Sequence, residues 1–217
     1  MPKPSNRPKL LAIGHDLIHE HGFAATSVRD VVHAAGVPNG SFTNHFATKE
    51  AFGLEVINHH FAGTLRVFDR TLRNDDLPPL KRIEAYFDVV IEHAQGDSVR
   101  RGCLFGNFGI EASPYSEAIR ERISEIFGEL ENAIEHCLKA AVQSGALPAN
   151  HNTKDAAALV MSSIQGAILL AKTRHSSSTL EAAKRILFTT ILTDSGQTPP
   201  VTAPGRSRKK VDGKPRL

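Results

Sequence analysis

The 217-residue sequence predicts an all-α fold, and three observations support this prediction. Apolar residues recur at intervals of three and four along most of the chain, as they do on the buried face of an amphipathic helix. Residues that typically begin and end helices stand at the boundaries of these stretches. No run alternates apolar and polar residues with the period of two that a half-buried strand requires.

The first two helices are predicted from their apolar spacing and their end signals. The first covers residues 10–22 and closes at a glycine. The second begins at Thr26 or Ser27, because either hydroxyl can cap a first turn, and Asp30 can return the hydrogen bond. Gly36 ends it, since glycine readily adopts the left-handed conformation that turns a chain sharply.

A third, short helix is predicted from Pro38 to Phe46. Proline suits the first turn of a helix, where its missing N–H would be unpaired anyway. The segment is too short and too polar to be a structural element on its own account. Its outward side chains can exchange hydrogen bonds with base edges and phosphates. These predicted outward residues are Asn39, Gly40, Ser41, Thr43, Asn44 and His45.

Longer helices are predicted for most of the remaining chain. Thr48 caps a helix whose apolar stripe runs from Leu54 to Leu72, and Lys49 at its start is left free for phosphate. The other predicted helices run from Pro79 through Ile91, Leu104 to Ala112, Ile119 to about Gly145, Thr153 or Asp155 to Lys172, and Ser178 or Thr179 to Leu192.

A helix, a glycine turn, a short second helix and a long third one form the layout of a DNA-reading helix-turn-helix. The segment that carries it reads TSVRDVVHAAGVPNGSFTNHFATKEAF, starting at Thr26. Its spacing through AAGV, GSF, HF and KEAF resembles the amino-terminal domain of TetR-type transcriptional repressors over roughly the first seventy residues. The competing interpretation is a helical bundle that merely contains a glycine turn.

The resemblance implies DNA contacts for individual residues. Those expected to touch the DNA backbone are Thr26, Ser27, Arg29, Thr43, His45 and Lys49. Those expected to approach bases are Asn39, Gly40, Ser41 and Asn44. Members of the family commonly have a basic residue at the position of Asn39 and a tyrosine at that of Thr43. The operator, or the affinity for it, is therefore expected to be unusual.

Three regions are predicted along the chain. Residues 1–70 form the DNA-binding domain, residues 71–194 form a helical ligand-binding and dimerisation domain, and residues 195–217 form a disordered basic tail. The tail has six Lys or Arg side chains and one Asp, so the rest of the chain is slightly acidic despite the net charge of +3. Either the tail attracts DNA of any sequence, or it is a solvated terminus without a dedicated role.

The two cysteines, Cys103 and Cys137, argue against a disulfide scaffold. Cys103 follows Arg100 and Arg101 at the start of a short helix, and nearby cations and a helix N-terminus favour a thiolate. Cys137 lies on an apolar helix face and is interpreted as a core residue.

The GCL-x-GN motif around Cys103, together with QGA-xxx-AK from Gln165 to Lys172, resembles the NemR-like TetR branch that senses reactive electrophiles and oxidants. This resemblance implies that Cys103 is the sensor. It also implies that Lys172 lowers the pKa of the thiol or captures its oxidised form. In the alternative interpretation, Cys103 is an inert small hydrophobe in a repressor that binds an ordinary small molecule.

Small residues accompany apolar ones in the last two helices and favour close helix approach. They are Ala156, Ala157, Ala158, Ser162, Ser163, Gly166, Ala167, Ala171, Ala182 and Ala183. The family resemblance implies that these helices form a four-helix dimer interface, which suits a two-fold operator.

No cofactor, metal or membrane segment is expected. His15 and His19 have a spacing that could bind zinc with Asp16 or Glu20, but surface solvation is favoured, and the adjacent pair His59–His60 is poorly spaced for a metal. No apolar run approaches the roughly 18 residues of a membrane span, and no secretion signal follows the first residues. A cytoplasmic protein is predicted.

The predicted function is a homodimeric transcriptional regulator, and specifically a repressor that reactive electrophiles or oxidants release from a palindromic operator through Cys103. A repressor released by a non-covalent ligand is the alternative. An enzyme built on Cys103 with a histidine such as His93 or His136 is remote, because no spacing supports it. A DNA-coating protein led by the basic tail is a further alternative. The helix from Lys49 to Arg70 is expected to couple the two domains.

Overall fold

The computed structural model describes residues 5–193, which form helices and their connections. A turn of 3-10 helix covers Gly96–Arg100, and a π-helical turn covers Leu187–Ile191. No strand occurs in residues 5–193, and the predicted all-α fold is confirmed. The predicted tail, residues 195–217, lies outside the described residues. The helices are α1 Arg7–His21, α2 Val28–Ala34, α3 Gly40–Thr43, α4 Lys49–Arg70, α5 Pro79–His93, α6 Leu104–Glu111, α7 Glu117–Gln143, α8 Thr153–Arg174 and α9 Ser178–Ile186.

A capping box begins α2, and Ser27 rather than Thr26 supplies it. The Asp30 amide donates to Ser27 Oγ at 3.1 Å, and the Ser27 amide donates to Asp30 Oδ2 at 2.8 Å. Gly36 follows with a φ of +57°, in the left-handed region that favours glycine. These two features fix the ends of α2 as the sequence predicts.

Helix α3 is shorter than predicted. The regular helix spans Gly40–Thr43, whereas the prediction ran from Pro38 to Phe46. At both ends the bonding tightens to a three-residue spacing, with the Ser41 amide donating to Pro38 O at 2.8 Å and the His45 amide to Phe42 O at 2.9 Å. Such tightened turns are common at helix ends, so the segment winds as expected but is regular only in its middle.

Helix α4 belongs to two parts of the molecule. Thr48 caps it by accepting a hydrogen bond from the Ala51 amide at 3.0 Å. It packs on α1 within the DNA-reading part and on α5, α6 and α7 in the rest of the molecule. We call α1 to α4 the head, and the chain from α5 onward the body. One continuous apolar cluster runs through both.

Helix α7 is the central element of the body. Its predicted apolar stripe is fully buried, from Ile119 to Leu138, and it packs against α4, α5, α6 and α8. Cys137 is 0% exposed in this stripe, and its Sγ donates a hydrogen bond to Leu72 O at 3.1 Å. The prediction that Cys137 is a core residue is confirmed.

Helix α8 packs on α7 and α9, yet by length and composition it is apolar enough to cross a membrane. Its mean hydropathy over an 18-residue window is 1.4, so the expectation that no segment approaches a membrane span is wrong for α8. The core helix of a soluble protein meets the same criterion. Here the helix contributes Ala156, Val160 and Ile164 to the buried core.

Candidate DNA-reading face and ligand cavity

The exposed surface of the head carries most of the residues predicted to contact DNA. Six of them are exposed and one, His45, is half-buried. The exposed residues are Ser27, Arg29, Asn39, Gly40, Thr43 and Asn44. The Thr43 hydroxyl donates to Gly40 O at 3.2 Å, while Asn39 and Asn44 flank α3 as its end residues. The amide groups most suited to base edges therefore lie at the two ends of one exposed turn.

Two predicted DNA contacts point into the protein instead. Ser41 is buried, and its hydroxyl accepts a hydrogen bond from Asn6 Nδ2 at 3.1 Å, so the prediction that it points outward is wrong. Thr26 is also buried, with its hydroxyl donating to Gly22 O at 2.7 Å. In both cases a small polar side chain forms a hydrogen bond with a neighbouring segment of the head.

Lys49 is partly occupied within the head. Its Nζ lies 3.3 Å from Ala24 O and 4.7 Å from the centroid of the Phe23 ring. Burial lowers the pKa of this ammonium, and the charge of Glu111 opposes the effect. The side chain thus braces the turn between α1 and α2, but an ammonium has three donors, so the phosphate contact of Lys49 stays a prediction.

A cavity of about 610 Å³ lies between the head and the body. Its walls come from α1 and α4 of the head, and from α5, α6, α7, α8 and the segment before α6 of the body. Volumes of this size are typical of small-molecule sites. The cavity is thus placed where an occupant contacts both parts of the molecule.

Four histidines from α1 and α4 form a cluster at the head side of the cavity. His15 Nε2 lies 2.9 Å from His60 Nδ1, and the His15 ring also lies 5.9 Å from that of His19 and 5.7 Å from that of His59. The His15 side chain is only 19% exposed, so the prediction of surface solvation is wrong for it. The sequence showed each pair but not that the two helices bring them together.

Burial keeps the inner histidines neutral. It lowers the pKa of His60 to about 3, and the neighbouring histidines add to this effect. Burial also lowers the pKa of His19, whose Nε2 donates to Gly102 O at 3.1 Å. A carbonyl only accepts, so His19 carries its proton on Nε2. No group of three or more His, Cys, Asp or Glu side chains in residues 5–193 is placed to hold a metal ion.

Cys103 lines the cavity and caps α6. Its Sγ accepts a hydrogen bond from the Gly106 amide at 3.5 Å. Burial raises the pKa of the thiol, and interactions with Gly106 and Gln165 only partly oppose this. The prediction that neighbouring cations favour a thiolate is therefore wrong, because desolvation of the sulfur outweighs the helix N-terminus.

Lys172 supports the backbone beside Cys103 and not the sulfur itself. Its Nζ donates to Arg101 O at 3.4 Å and to Asn107 Oδ1 at 3.3 Å. Its Cδ would lie 2.9 Å from a Cβ at Gly102, where φ is +68°. The expected pairing of Lys172 with the thiol is not present. The side chain that acts to lower the pKa of this thiol is that of Gln165.

Two family models match the chain. The model of bacterial regulatory proteins of the tetR family matches residues 10–56, and that of the tetracyclin repressor-like C-terminal domain matches residues 79–187. The repressor DhaR of Mycobacterium sp. is 33% identical over 186 residues, which cover 86% of this chain and 92% of DhaR. The chain belongs to the TetR family. It is a transcriptional regulator related to named repressors.

Two solved TetR-family structures share the fold over most of the chain. The regulatory protein TetR from Rhodobacter sphaeroides is 27% identical with a TM-score of 0.77, and the match covers 84% of this chain and 96% of that protein's chain. Reduced NemR of E. coli is 26% identical with a TM-score of 0.76, and the match covers 88% of this chain and 100% of the NemR chain. In sequence, NemR is 28% identical over 61% of this chain and 71% of NemR. The predicted resemblance to a NemR-like relative is confirmed.

The half-buried His60 leads to a prediction of how the stability of this TetR-family protein depends on pH. Below pH 6.5 the unfolded chain binds a proton at His60, whereas the folded chain does not until about pH 3. We expect acidification across this window to lower the free energy of unfolding by at most about 1.4 kcal/mol per pH unit for this group. Urea unfolding at pH 7.5 and 5.5 measures the effect.

The variant His60→Gln is expected to show a smaller loss of stability between these two pH values. His136→Gln, which changes an exposed histidine on α7, is the matched control and should behave as the wild type. Equal pH dependence in the wild type and His60→Gln would contradict the prediction.

Proposed function

We propose that this protein is a homodimeric repressor that leaves a palindromic operator when a small molecule occupies the cavity between head and body. In this proposal residues 1–70 read DNA, residues 71–194 bind the ligand and dimerise, and the protein acts in the cytoplasm. The observation that carries the proposal is the position of the cavity, because helices of the head form one of its walls. A ligand there changes the environment of α1 and α4 directly.

Hydrogen bonds across the head–body boundary give the route of this coupling. His19 Nε2 donates to Gly102 O at 3.1 Å beside the cavity. The Ala24 amide donates to Glu111 Oε2 at 3.0 Å, and Arg122 Nε donates to Asn58 Oδ1 at 2.8 Å. A ligand releases DNA only if it binds the released state better than the DNA-bound state. Contacts that tie the head to the cavity wall are where such a difference can arise.

Non-covalent binding is the better supported mode of release. The thiol of Cys103 has a raised pKa, and Lys172 is engaged with Arg101 and Asn107. Both findings weaken the electrophile-sensing hypothesis, which needs a reactive sulfur. No histidine in the described part of the chain hydrogen-bonds the Cys103 sulfur, which leaves the remote enzyme hypothesis without a base.

Covalent sensing at Cys103 is a second candidate, and one observation favours it. Cys103 is among the residues that line the cavity, so an electrophile that enters would meet the sulfur. In this version, the same cavity selects the reactive molecule and the thiol captures it.

The outer face of α8 supports dimerisation. Leu159, Leu169 and Leu170 are 45%, 53% and 39% exposed, and Gly166 and Ser162 lie between them at helical spacing on the exposed side. Exposed apolar side chains with small residues between them suit close packing against a second helix. The predicted small residues thus divide, with Ala156, Ala157, Ala167 and Ala171 buried inside the monomer and Ser162 and Gly166 on the exposed side.

A first test concerns operator reading by the exposed ends of α3. We expect Asn44→Ala to weaken binding to the operator by about ten- to a hundredfold, because a good base contact contributes on the order of 1–3 kcal/mol of discrimination. Fluorescence anisotropy with operator DNA and with a scrambled duplex measures this loss. Asn132→Ala on the exposed side of α7 is the control. Unchanged specificity in Asn44→Ala would remove this residue from the reading face.

A second test concerns the dimer. We expect Leu169→Glu to raise the dimer dissociation constant at least about tenfold, since a charge at a desolvated helix contact is costly. Analytical ultracentrifugation measures the association. Ile110→Glu alters an apolar side chain that is 71% exposed on α6 and should leave the dimer intact. A wild-type monomer, or a Leu169→Glu dimer of unchanged affinity, would refute the proposed interface.

A third test separates the two modes of release. We expect Cys103→Ser to bind the operator and to keep its release by neutral ligands, because serine preserves the cap of α6. Release from labelled operator DNA is measured for wild type, Cys103→Ser and the control Cys137→Ser, with neutral ligands and with a quinone, an aldehyde and hypochlorite. If only the reactive compounds release the wild type, and Cys103→Ser ignores them, covalent sensing replaces ligand binding.

A further inference from the structure

The cavity walls carry positive charge and no counterbalancing acid. Three arginines, Arg66, Arg70 and Arg101, line the cavity, and no Asp or Glu of the described residues is among its lining. None of these three guanidinium groups forms a salt bridge within residues 5–193. Elsewhere on the protein, arginines such as Arg7 and Arg82 are paired with carboxylates. The cavity is thus lined by arginines whose N–H donors are not paired with a carboxylate of the described residues.

The histidine cluster adds further hydrogen-bonding groups beside Arg101. The positive charge of Arg101 is close enough to His19 to disfavour its protonation. Asp16 contacts His15 Nδ1 at 3.1 Å, but it is exposed and does not line the cavity. Neutral imidazoles can donate to an anion through a ring N–H, whereas no carboxylate in this lining could hold a cation.

Much of the remaining lining is apolar. Val89, Val90 and Val99 come from α5 and the turn before α6, and Ile164 and Ile168 come from α8. A purely ionic ligand would leave these side chains without a partner. An occupant with an apolar body gains from covering them, at roughly 25 cal/mol per Å² of apolar surface removed from water.

We propose that the ligand is an amphipathic organic anion, a carboxylate on an apolar body, with its carboxylate toward Arg101 and the histidine cluster and its body against Val90 and Ile168. The inference rests on the proposed function, which makes this cavity the inducer site. Arginine matches a carboxylate in geometry as well as charge, since its fork can donate two parallel hydrogen bonds. An amine of the same shape would be repelled by the arginines and would find no carboxylate among the described lining residues.

Matched pairs of small molecules test this inference directly. Isothermal titration calorimetry on the full-length protein compares butanoate, octanoate and 2-naphthoate with their primary amides, and octanoate with octylamine. Acetate and inorganic phosphate test for ionic binding without an apolar body. We expect at least one carboxylate to bind about tenfold or more tightly than its amide, and octylamine, acetate and phosphate to bind more weakly still.

Two variants locate the preference. Arg101→Gln is expected to reduce the carboxylate-to-amide affinity ratio toward one, while Arg100→Gln should keep the wild-type ratio, because Arg100 is the neighbouring arginine and does not line the cavity. The inference is overturned if no carboxylate outbinds its amide, if octylamine binds best, or if Arg100→Gln and Arg101→Gln behave alike. Tighter binding of phosphate than of octanoate would overturn it too, since the site would then select charge alone.

Operator release, measured in parallel by anisotropy, keeps this inference separate from the proposed function. Carboxylates that bind in the expected order but leave the operator bound support the anion preference and refute the inducer role of the cavity. Neutral ligands that bind the cavity and release the operator better than carboxylates support the inducer role of the cavity and refute the anion preference.

Discussion

Helix α4 imposes the constraint on which the rest of this structure depends. It is a continuous helix of 22 residues, on the order of 33 Å long, with Phe52 and Val56 buried near its start and Phe61 and Phe68 buried further along. A helix packed at both ends transmits displacement and does not absorb it, since close-packed cores repack in steps and do not deform smoothly. The head therefore cannot tilt without disturbing the packing of α4 on the body. Two histidines of the cavity wall, His59 and His60, stand on the middle of this same helix.

Local signals in the sequence predicted local structure well. The Ser27–Asp30 capping box, the turn at Gly36, the cap at Thr48 and the apolar stripe of α7 are all present, because each depends on residues a few positions apart. The wrong prediction that Ser41 points outward has a different origin. Its burial depends on a partner, Asn6, that lies 35 positions away on the approach to α1. Helical periodicity cannot reveal which polar residue finds such a partner.

The cavity shows the same limit more strongly. Cys103 was correctly expected at the start of α6, but its pKa is governed by burial beneath helices that the local motif does not contain. Lys172 lies near the expected loop and bonds to the carbonyl of Arg101 and not to the thiol. The histidine cluster needs α1 and α4 to be placed side by side before His15 and His60 can meet. A hint was present in the spacing of histidines on both helices, although only the fold joins them.

The volume between head and body also has a thermodynamic consequence. A molecule that binds the native cavity and not the unfolded chain stabilises the fold by mass action, about 2.7 kcal/mol at a hundred times its dissociation constant. Release of the operator and stabilisation against thermal unfolding would then both draw on the free energy of one binding event. A rise in melting temperature reports the ligand even when the operator and the controlled genes are unknown. Ligand binding to the cavity can therefore be detected from the stability of the folded chain itself.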